Sequence, residues 1–183
     1  DHPFHTLDFY GSTKVCSEYI IRSLYAKHNF DTDYPLSFTG LRYMNVYGPR
    51  QDDKGAYVGV IPRVLDSLDS ASSPVIFGDG SQSYDFIDVR DCAMANLKAM
   101  TADSQNRFFN VGTGIKTSIL DLVRILSTHY QNPPAPLFKS ASRSFVTTRV
   151  AATTNASRYL GFESQHSLSE GIANLVAWRT NVN

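Results

Sequence analysis

Leu41-Arg42-Tyr43-Met44-Asn45-Val46-Tyr47-Gly48-Pro49-Arg50-Gln51 is the stretch that sets the fold class. Leu36 to Val46 is rich in apolar residues and β-formers, interrupted only by Gly40, and reads as a buried strand. Tyr47-Gly48-Pro49-Arg50 ends it, because glycine next to proline is a strong turn signal. In an open α/β sheet, ligands bind at such carboxyl ends of strands. On both sides of this strand the apolar spacing becomes helical. Upstream, Ser12 to about His28 places Val15, Tyr19 and Leu24, with Cys16 and Ile20, on one stripe. Downstream, Val60 to Leu68 turns Ile61, Val64, Leu65 and Leu68 to one face, and Pro62 is tolerable there only in the first turn. A strand between amphipathic helices points to the α/β class.

The alternation continues to the end of the chain. Val75-Ile76-Phe77 is a short strand, Gly78-Asp79-Gly80-Ser81 a tight turn, and Tyr84 to Val89 a second strand, so the two read as a hairpin. Asp88 or Asp91 is expected to cap a helix running to about Met100, with Ala93, Leu97 and Met100 inward. Phe108 to Val111 is a buried strand before Gly112-Thr113-Gly114. Ser118 with Asp121 resembles a capping box for a helix carrying Ile119, Leu122, Val123 and Leu126. Leu137-Phe138 and Phe145 to Val150 read as extended pieces. Asn155 to Leu160 is a short helix stopped by Gly161. Ser167 with Glu170 caps the last helix, whose Ile172, Leu175 and Val176 face inward.

Composition narrows the function classes. With 42% hydrophobic and 19% charged residues the chain is an ordinary globular one. Its net charge is zero and it has no basic run, which argues against nucleic acid or an anionic membrane as partner. No apolar run approaches a membrane span. Cys16 and Cys92 are far apart and lack metal-ligand spacing, so they read as free thiols in a reducing, cytoplasmic compartment, with no metal site.

Phe9-Tyr10-Gly11-Ser12-Thr13-Lys14 carries the chemistry. Tyr10 and Lys14 lie about one helical turn apart and share a face. An ammonium beside a phenol favours the phenolate and lowers its pKa. Such a tyrosine can accept and return a proton near neutral pH. The spacing alone also fits a surface lysine beside a half-buried tyrosine.

Tyr10-x-x-x-Lys14 and the run Leu41 to Gln51 together resemble the extended short-chain dehydrogenase/reductase family, in particular its NAD-dependent nucleotide-sugar epimerases and dehydratases of the UDP-glucose 4-epimerase type. Gly55-Ala56-Tyr57 with Val60-Ile61-Pro62 resembles the family's substrate loop. Gly78 to Gln82 with Asp85-Phe86-Ile87-Asp88-Val89 matches its next segment. Phe109 to Gly114 with Thr117-Ser118-Ile119, and Leu160-Gly161-Phe162 with Ser169 to Trp178, continue the match.

The resemblance implies the C-terminal part of a Rossmann-type NAD-binding sheet plus a small α/β substrate-binding domain. Residues 1–50 would end the Rossmann domain. Residues 51–183 would be mainly the substrate domain, with 108–130 returning to the sheet. It implies that Tyr10 is the acid/base for a sugar hydroxyl, and that Lys14 lowers its pKa and holds the nicotinamide ribose of NAD. Met44 would pack near the nicotinamide, or simply fill the core. Asn45 would bind the substrate's phosphate or sugar, or cap a turn. Ala56 and Val60 would touch the nucleotide, or pack as ordinary loop and helix residues. Arg50 reads as an anion holder or a surface arginine, and Arg42 as structural.

Several positions depart from the family pattern. Tyr84 stands where an arginine commonly clamps the substrate diphosphate. The second arginine segment lacks its Gly-Asp, so Arg143 or Arg149, helped by Lys116, is expected to replace that clamp. The glycine-rich NAD pyrophosphate loop is absent, so the resemblance places the main NAD site upstream, and the isolated chain is expected to be an inactive C-terminal half. A homodimer through helices that include the one bearing Tyr10 is also implied. A nucleotide-sugar 4,6-dehydratase, or a non-catalytic truncated binding or assembly module, stand as alternatives.

Overall fold

A computed structural model describes residues 6, 8–30, 33–52, 55, 58–103, 106–140 and 147–182. The first helix, α1 (Phe9–His28), starts three residues before the apolar periodicity does. Its N-cap is Asp8, whose carboxylate accepts the Gly11 N–H at 2.6 Å. The expected apolar stripe does not become a buried face. No α1 residue is fully buried, and Cys16, Tyr19, Ile20 and Leu24 are exposed. Gly11, Val15, Glu18 and Tyr25 are half-buried instead. The helix is tied down by an ion pair and an aromatic contact, which a hydrophobic count does not register.

The strand expected at 36–46 divides at Met44 into β1 (Thr39–Tyr43) and β2 (Asn45–Tyr47). Each half has its own parallel partner. β1 pairs with β6 (Arg107–Val111) and β2 with β5 (Phe86–Asp88). The exchange takes one residue, since Met44 N–H donates to Val111 O at 2.9 Å and Asn45 N–H to Asp85 O at 3.0 Å. Most of this segment is half-buried rather than buried, with Tyr47 the fully enclosed residue. Among the described residues β1 has a strand on one edge only.

Helix α2 (Val60–Asp69) places Pro62 in its first turn and buries Ile61, Val64, Leu65 and Leu68, as expected. The hairpin does not form. β3 (Val75–Phe77) pairs in parallel with β8 (Leu137–Lys139). The strand after the Gly78–Ser81 turn splits into β4 (Ser83–Tyr84) and β5. β4 lies between β7 (Thr117–Ser118), antiparallel, and β9 (Thr148–Arg149), parallel. The backbone groups of β3 are taken from the other side, with Leu137 N–H on Pro74 O and Gly78 N–H on Lys139 O, both at 2.8 Å.

Helix α3 (Val89–Thr101) is capped by Asp88, which accepts the Arg90 N–H at 2.9 Å. Its inward face is Asp91, Cys92 and Ala95, not Ala93, Leu97 and Met100, which are exposed. The buried Asp91 carboxylate sets this phase by accepting the N–H groups of Gln165 and His166 at 3.1 and 3.2 Å. Small Cys92 and Ala95 then allow close approach to β1 and β5. Helix α4 (Ile119–Ser127) has the expected Ser118 cap, accepting the Asp121 N–H at 3.0 Å. Helix α5 (Thr154–Leu160) ends at Gly161 in the left-handed region, φ 59°, where a side chain would be strained. Helix α6 (Leu168–Val182) begins with the expected reciprocal pair: Ser167 N–H to Glu170 Oε2 at 3.0 Å and Glu170 N–H to Ser167 Oγ at 3.3 Å.

Two apolar clusters result. One joins Tyr47, Leu65, Ile76, Leu122 and Ile172. The other joins Ile87, Phe109, Val111, Ala156 and Phe162. Each such buried side chain stabilises the fold by about 1.5–3 kcal/mol relative to exposure. Among the described residues no helix is long and apolar enough to cross a membrane.

Candidate active site

A cleft of about 740 Å³ opens between α1, the β1–β2 junction and the first turn of α2. It collects Tyr10 and Lys14 from the helix, Met44 and Asn45 from the strand switch, and Val60 from α2. The i,i+4 geometry holds, with Lys14 Nζ 5.2 Å from the centroid of the Tyr10 ring. Tyr10 is 62% exposed.

Two other phenols stand in the same wall, and both are driven toward their neutral form. Burial pushes Tyr43 up, against an opposing hydrogen bond from Asn96. Burial and then the Asp88 carboxylate push Tyr47 far up, and its buried hydroxyl has no partner among the described residues.

Asn45 is held from beneath. Its backbone N–H and its side-chain Nδ2 both donate to the Asp85 carbonyl, at 3.0 and 2.9 Å. One amide N–H is thereby committed to the protein. Asp85 itself is wholly buried, and its carboxylate gathers three chain segments. Oδ1 accepts Thr113 N–H and Thr113 Oγ1–H at 2.9 and 2.7 Å, while Oδ2 accepts Gly114 N–H and Ala151 N–H at 2.9 and 3.1 Å. The approach needs a glycine at 112, where a Cβ would lie 2.5 Å from Asp85 Oδ2 and 2.7 Å from Met44 Cγ. Asn45 therefore rests on the Asp85 backbone carbonyl, and Met44 lies beside Gly112, next to the loop that the Asp85 carboxylate holds.

Three expected ligand residues lie elsewhere. Tyr84 and Arg149 face one another on β4 and β9, and exposed Lys116 precedes Thr117, the β7 partner of Tyr84. They form a second group on the three-stranded sheet. Its contact with the cleft runs through Phe86, whose ring meets that of Tyr84 edge-on at 6.3 Å and lines the cleft. Ala56 and Arg143 lie outside the described residues.

The cleft also holds residues that the sequence did not single out for it. Gln51 directly follows Arg50, whose φ of 68° is unusual for a non-glycine residue. The Gln51 amide oxygen is buried without a partner among the described residues. Glu18 stands one further turn along α1 from Lys14, so the Tyr10–Lys14–Glu18 spacing was the available signal.

Parallel strands with helical crossovers, and a tyrosine–lysine pair one helical turn apart facing the strand switch, define a short-chain dehydrogenase/reductase of the extended type. Within that class, the profile of the NAD dependent epimerase/dehydratase family matches residues 1–112, and the chain belongs to that family. It is 32% identical over 171 residues to the dTDP-L-rhamnose 4-epimerase of Burkholderia thailandensis, covering 92% of this chain and 45% of that protein. Among solved structures it is similar to the UDP-glucose 4-epimerase of Thermotoga maritima with UDP-glucose, at 33% identity and TM-score 0.87, over 98% of this chain and 56% of that one. The UDP-N-acetylglucosamine 4-epimerase of Methanobrevibacter ruminantium M1 in complex with UDP-N-acetylmuramic acid superposes with TM-score 0.88 at 28% identity, over 100% of this chain and 57% of that one. The chain spans about half the length of the curated relatives it matches.

Proposed function

We propose that this chain supplies the acid/base pair and most of the sugar-nucleotide site of an NAD-dependent nucleotide-sugar 4-epimerase. The observation that carries the reading is the convergence of Tyr10, Lys14, Met44, Asn45 and Val60 on one cleft. The nicotinamide end of NAD fits the donor set there, because the Lys14 ammonium and Tyr10 phenol can meet a ribose while the Met44 thioether gives the ring an apolar wall. Bound NAD supplies a hydride acceptor that later returns the hydride to the sugar carbon. Tyr10 Oη takes the proton of the C4 hydroxyl as the carbon is oxidised and gives it back when the carbon is reduced. Lys14 stabilises the phenolate during that interval. Asn45 holds the sugar-phosphate end, and the keto-sugar turns over so that its other face meets the returning hydride.

In this reading residues 1–50 and 108–130 belong to the cofactor sheet, which the parallel β1–β6 pairing supports. The remainder holds the nucleotide sugar, with Tyr84, Lys116 and Arg149, together with Ala56 and Arg143, toward its nucleotide end. The exposed Tyr19, Ile20 and Leu24 of α1 support a homodimer contact, and the two free thiols support a reducing, cytoplasmic setting. Residues 1–183 alone do not turn over, because the NAD pyrophosphate contacts lie outside them. Micromolar NAD binding by this chain alone would contradict that last point.

A thermal-shift screen of UDP-, dTDP-, GDP- and ADP-sugars on the complete polypeptide identifies the substrate class, and chromatography of the product identifies the C4 epimer. Stabilisation by none of these sugars removes the nucleotide-sugar reading, and loss of water from the sugar replaces the epimerase by a dehydratase. Tyr10→Phe lowers kcat by about 10²–10⁴-fold with sugar binding retained. Turnover at the wild-type rate in that variant contradicts the proton-transfer role.

A further inference from the structure

We propose that the Glu18–Arg42 pair is a positioning device that sets the Tyr10/Lys14 pair against Met44 and Asn45. This rests on the epimerase reading above. Glu18 follows Lys14 by one turn and Tyr10 by two on the cleft-facing side of α1. Its carboxylate receives both prongs of Arg42, Nε on Oε1 at 2.6 Å and Nη2 on Oε2 at 2.5 Å. Two parallel charge-assisted bonds fix orientation as well as distance. Arg42 sits two residues before Met44 and three before Asn45 on the same chain segment. The pair therefore joins the helix that carries the proton-transfer groups to the strand that carries their opposite wall.

The base of this joint is rigid. The Arg42 guanidinium lies 5.3 Å from the centroid of the Phe108 ring, and Arg22 lies 5.0 Å from the same centroid. Phe108 packs so closely on Gly40 that a Cβ there would collide with its ring. No α1 residue is fully buried. Further along, α1 meets this part of the molecule at Arg22 on Phe108 and at Tyr25, whose hydroxyl accepts from Asn106 Nδ2 at 3.0 Å and whose ring meets Phe38 at 5.7 Å. Glu18 is closer along the helix to Tyr10 and Lys14 than Arg22 and Tyr25 are, and loosening its pair lets the first turns of α1 move relative to the strand switch. A misplacement of about 1 Å at reacting groups costs on the order of 100-fold in rate.

The test uses the complete polypeptide with Glu18→Gln, Arg42→Lys and the double variant. Each single change keeps side-chain size and removes the two-pronged pairing. The expected result is a fall in kcat of about 10–100-fold, with KM for the nucleotide sugar changed by less than about threefold. The double variant loses no more than the worse single, because the two side chains act as one unit. Multiplying losses, or unchanged kcat in both singles, overturns the proposal. Amide hydrogen exchange over residues 9–18 gives a readout independent of turnover. It rises by about tenfold or more in Glu18→Gln while α6 keeps its protection. Unchanged exchange over those residues overturns the proposal whatever the kinetics show. If Glu18→Gln loses protection throughout, Arg42→Lys decides by the same criteria. If the wild-type protein turns over no nucleotide sugar, the epimerase reading fails by itself, and the exchange result still decides whether the pair holds the helix.

Discussion

Replacing Asp85 by alanine removes the acceptor for four donors at once: the N–H groups of Thr113, Gly114 and Ala151 and the Thr113 hydroxyl. Asp85 is 0% exposed and Ala151 is buried, whereas Thr113 is half-buried and Gly114 exposed, so water can reach part of the donor set. An orphaned buried donor costs roughly 1–3 kcal/mol. Taking the lower end for each, because one water can occupy the vacated space, puts the loss at about 4 kcal/mol. That is a large share of the roughly 5–15 kcal/mol that holds a typical domain together. Asp85→Asn keeps the volume but turns one acceptor oxygen into a donor that faces two N–H groups or an N–H and a hydroxyl. About half of the alanine loss, near 2 kcal/mol, follows from the two bonds removed. Urea unfolding of the complete polypeptide, read by fluorescence and compared at a common slope, measures both. An alanine variant within 1 kcal/mol of wild type, or an asparagine variant equal to it, would refute the view that both carboxylate oxygens are saturated acceptors.

The remaining predictions are smaller in scope. Burial raises the Asp88 carboxyl, but the hydrogen bonds from the Arg90 side chain and backbone outweigh it and leave its pKa below the usual carboxylate range. A folded pKa below the unfolded value of about 3.9 means that the contribution is full above about pH 4 and disappears as the pH falls through the folded value. Asp88→Asn should therefore destabilise the protein at neutral pH and flatten the melting-temperature fall below about pH 4. An equal downward shift at every pH contradicts this. The Cys92 thiol is pushed up to about 12, first by burial and then by Asp91 and Asp88, whereas Cys16 is exposed. At pH 8 a maleimide should label Cys16 in the native protein and Cys92 only after unfolding, as peptide mass mapping would show. Gly171→Ala drives a methyl group into the Tyr47 hydroxyl and to 2.7 Å from Asp88 Oδ2. The melting temperature should fall by an amount worth about 1–3 kcal/mol, and Tyr47→Phe in the same chain should recover part of it.

Much of the secondary structure was legible because its signals are local. The Ser118 and Ser167 caps, Pro62 in a first turn and the left-handed Gly161 each depend on residues within one turn of chain, and each occurs where the sequence placed it. The two misread helix faces share a cause. Apolar periodicity assumes that the inward stripe is the apolar one. α1 instead docks through Glu18 and Tyr25, and α3 through Asp91, Cys92 and Ala95. The hairpin expectation failed because a tight turn specifies only a change of direction. Which strand neighbours β3 depended on Leu137 to Lys139, some sixty residues away in the chain.

The tyrosine–lysine spacing and the ordered runs from Leu41 to Trp178 were enough to indicate the family by themselves, since residue identity carries the chemistry. Only the tertiary structure decided what those residues face. It joined Tyr10 and Lys14 to Met44, Asn45 and Val60 across one cleft, set Tyr84 and Arg149 on a separate sheet, and brought Glu18 onto Arg42. These are long-range pairings. Their free energy comes from buried carboxylates finding donors on other segments and from strands exchanging partners at a single residue. Local spacing has no term for either.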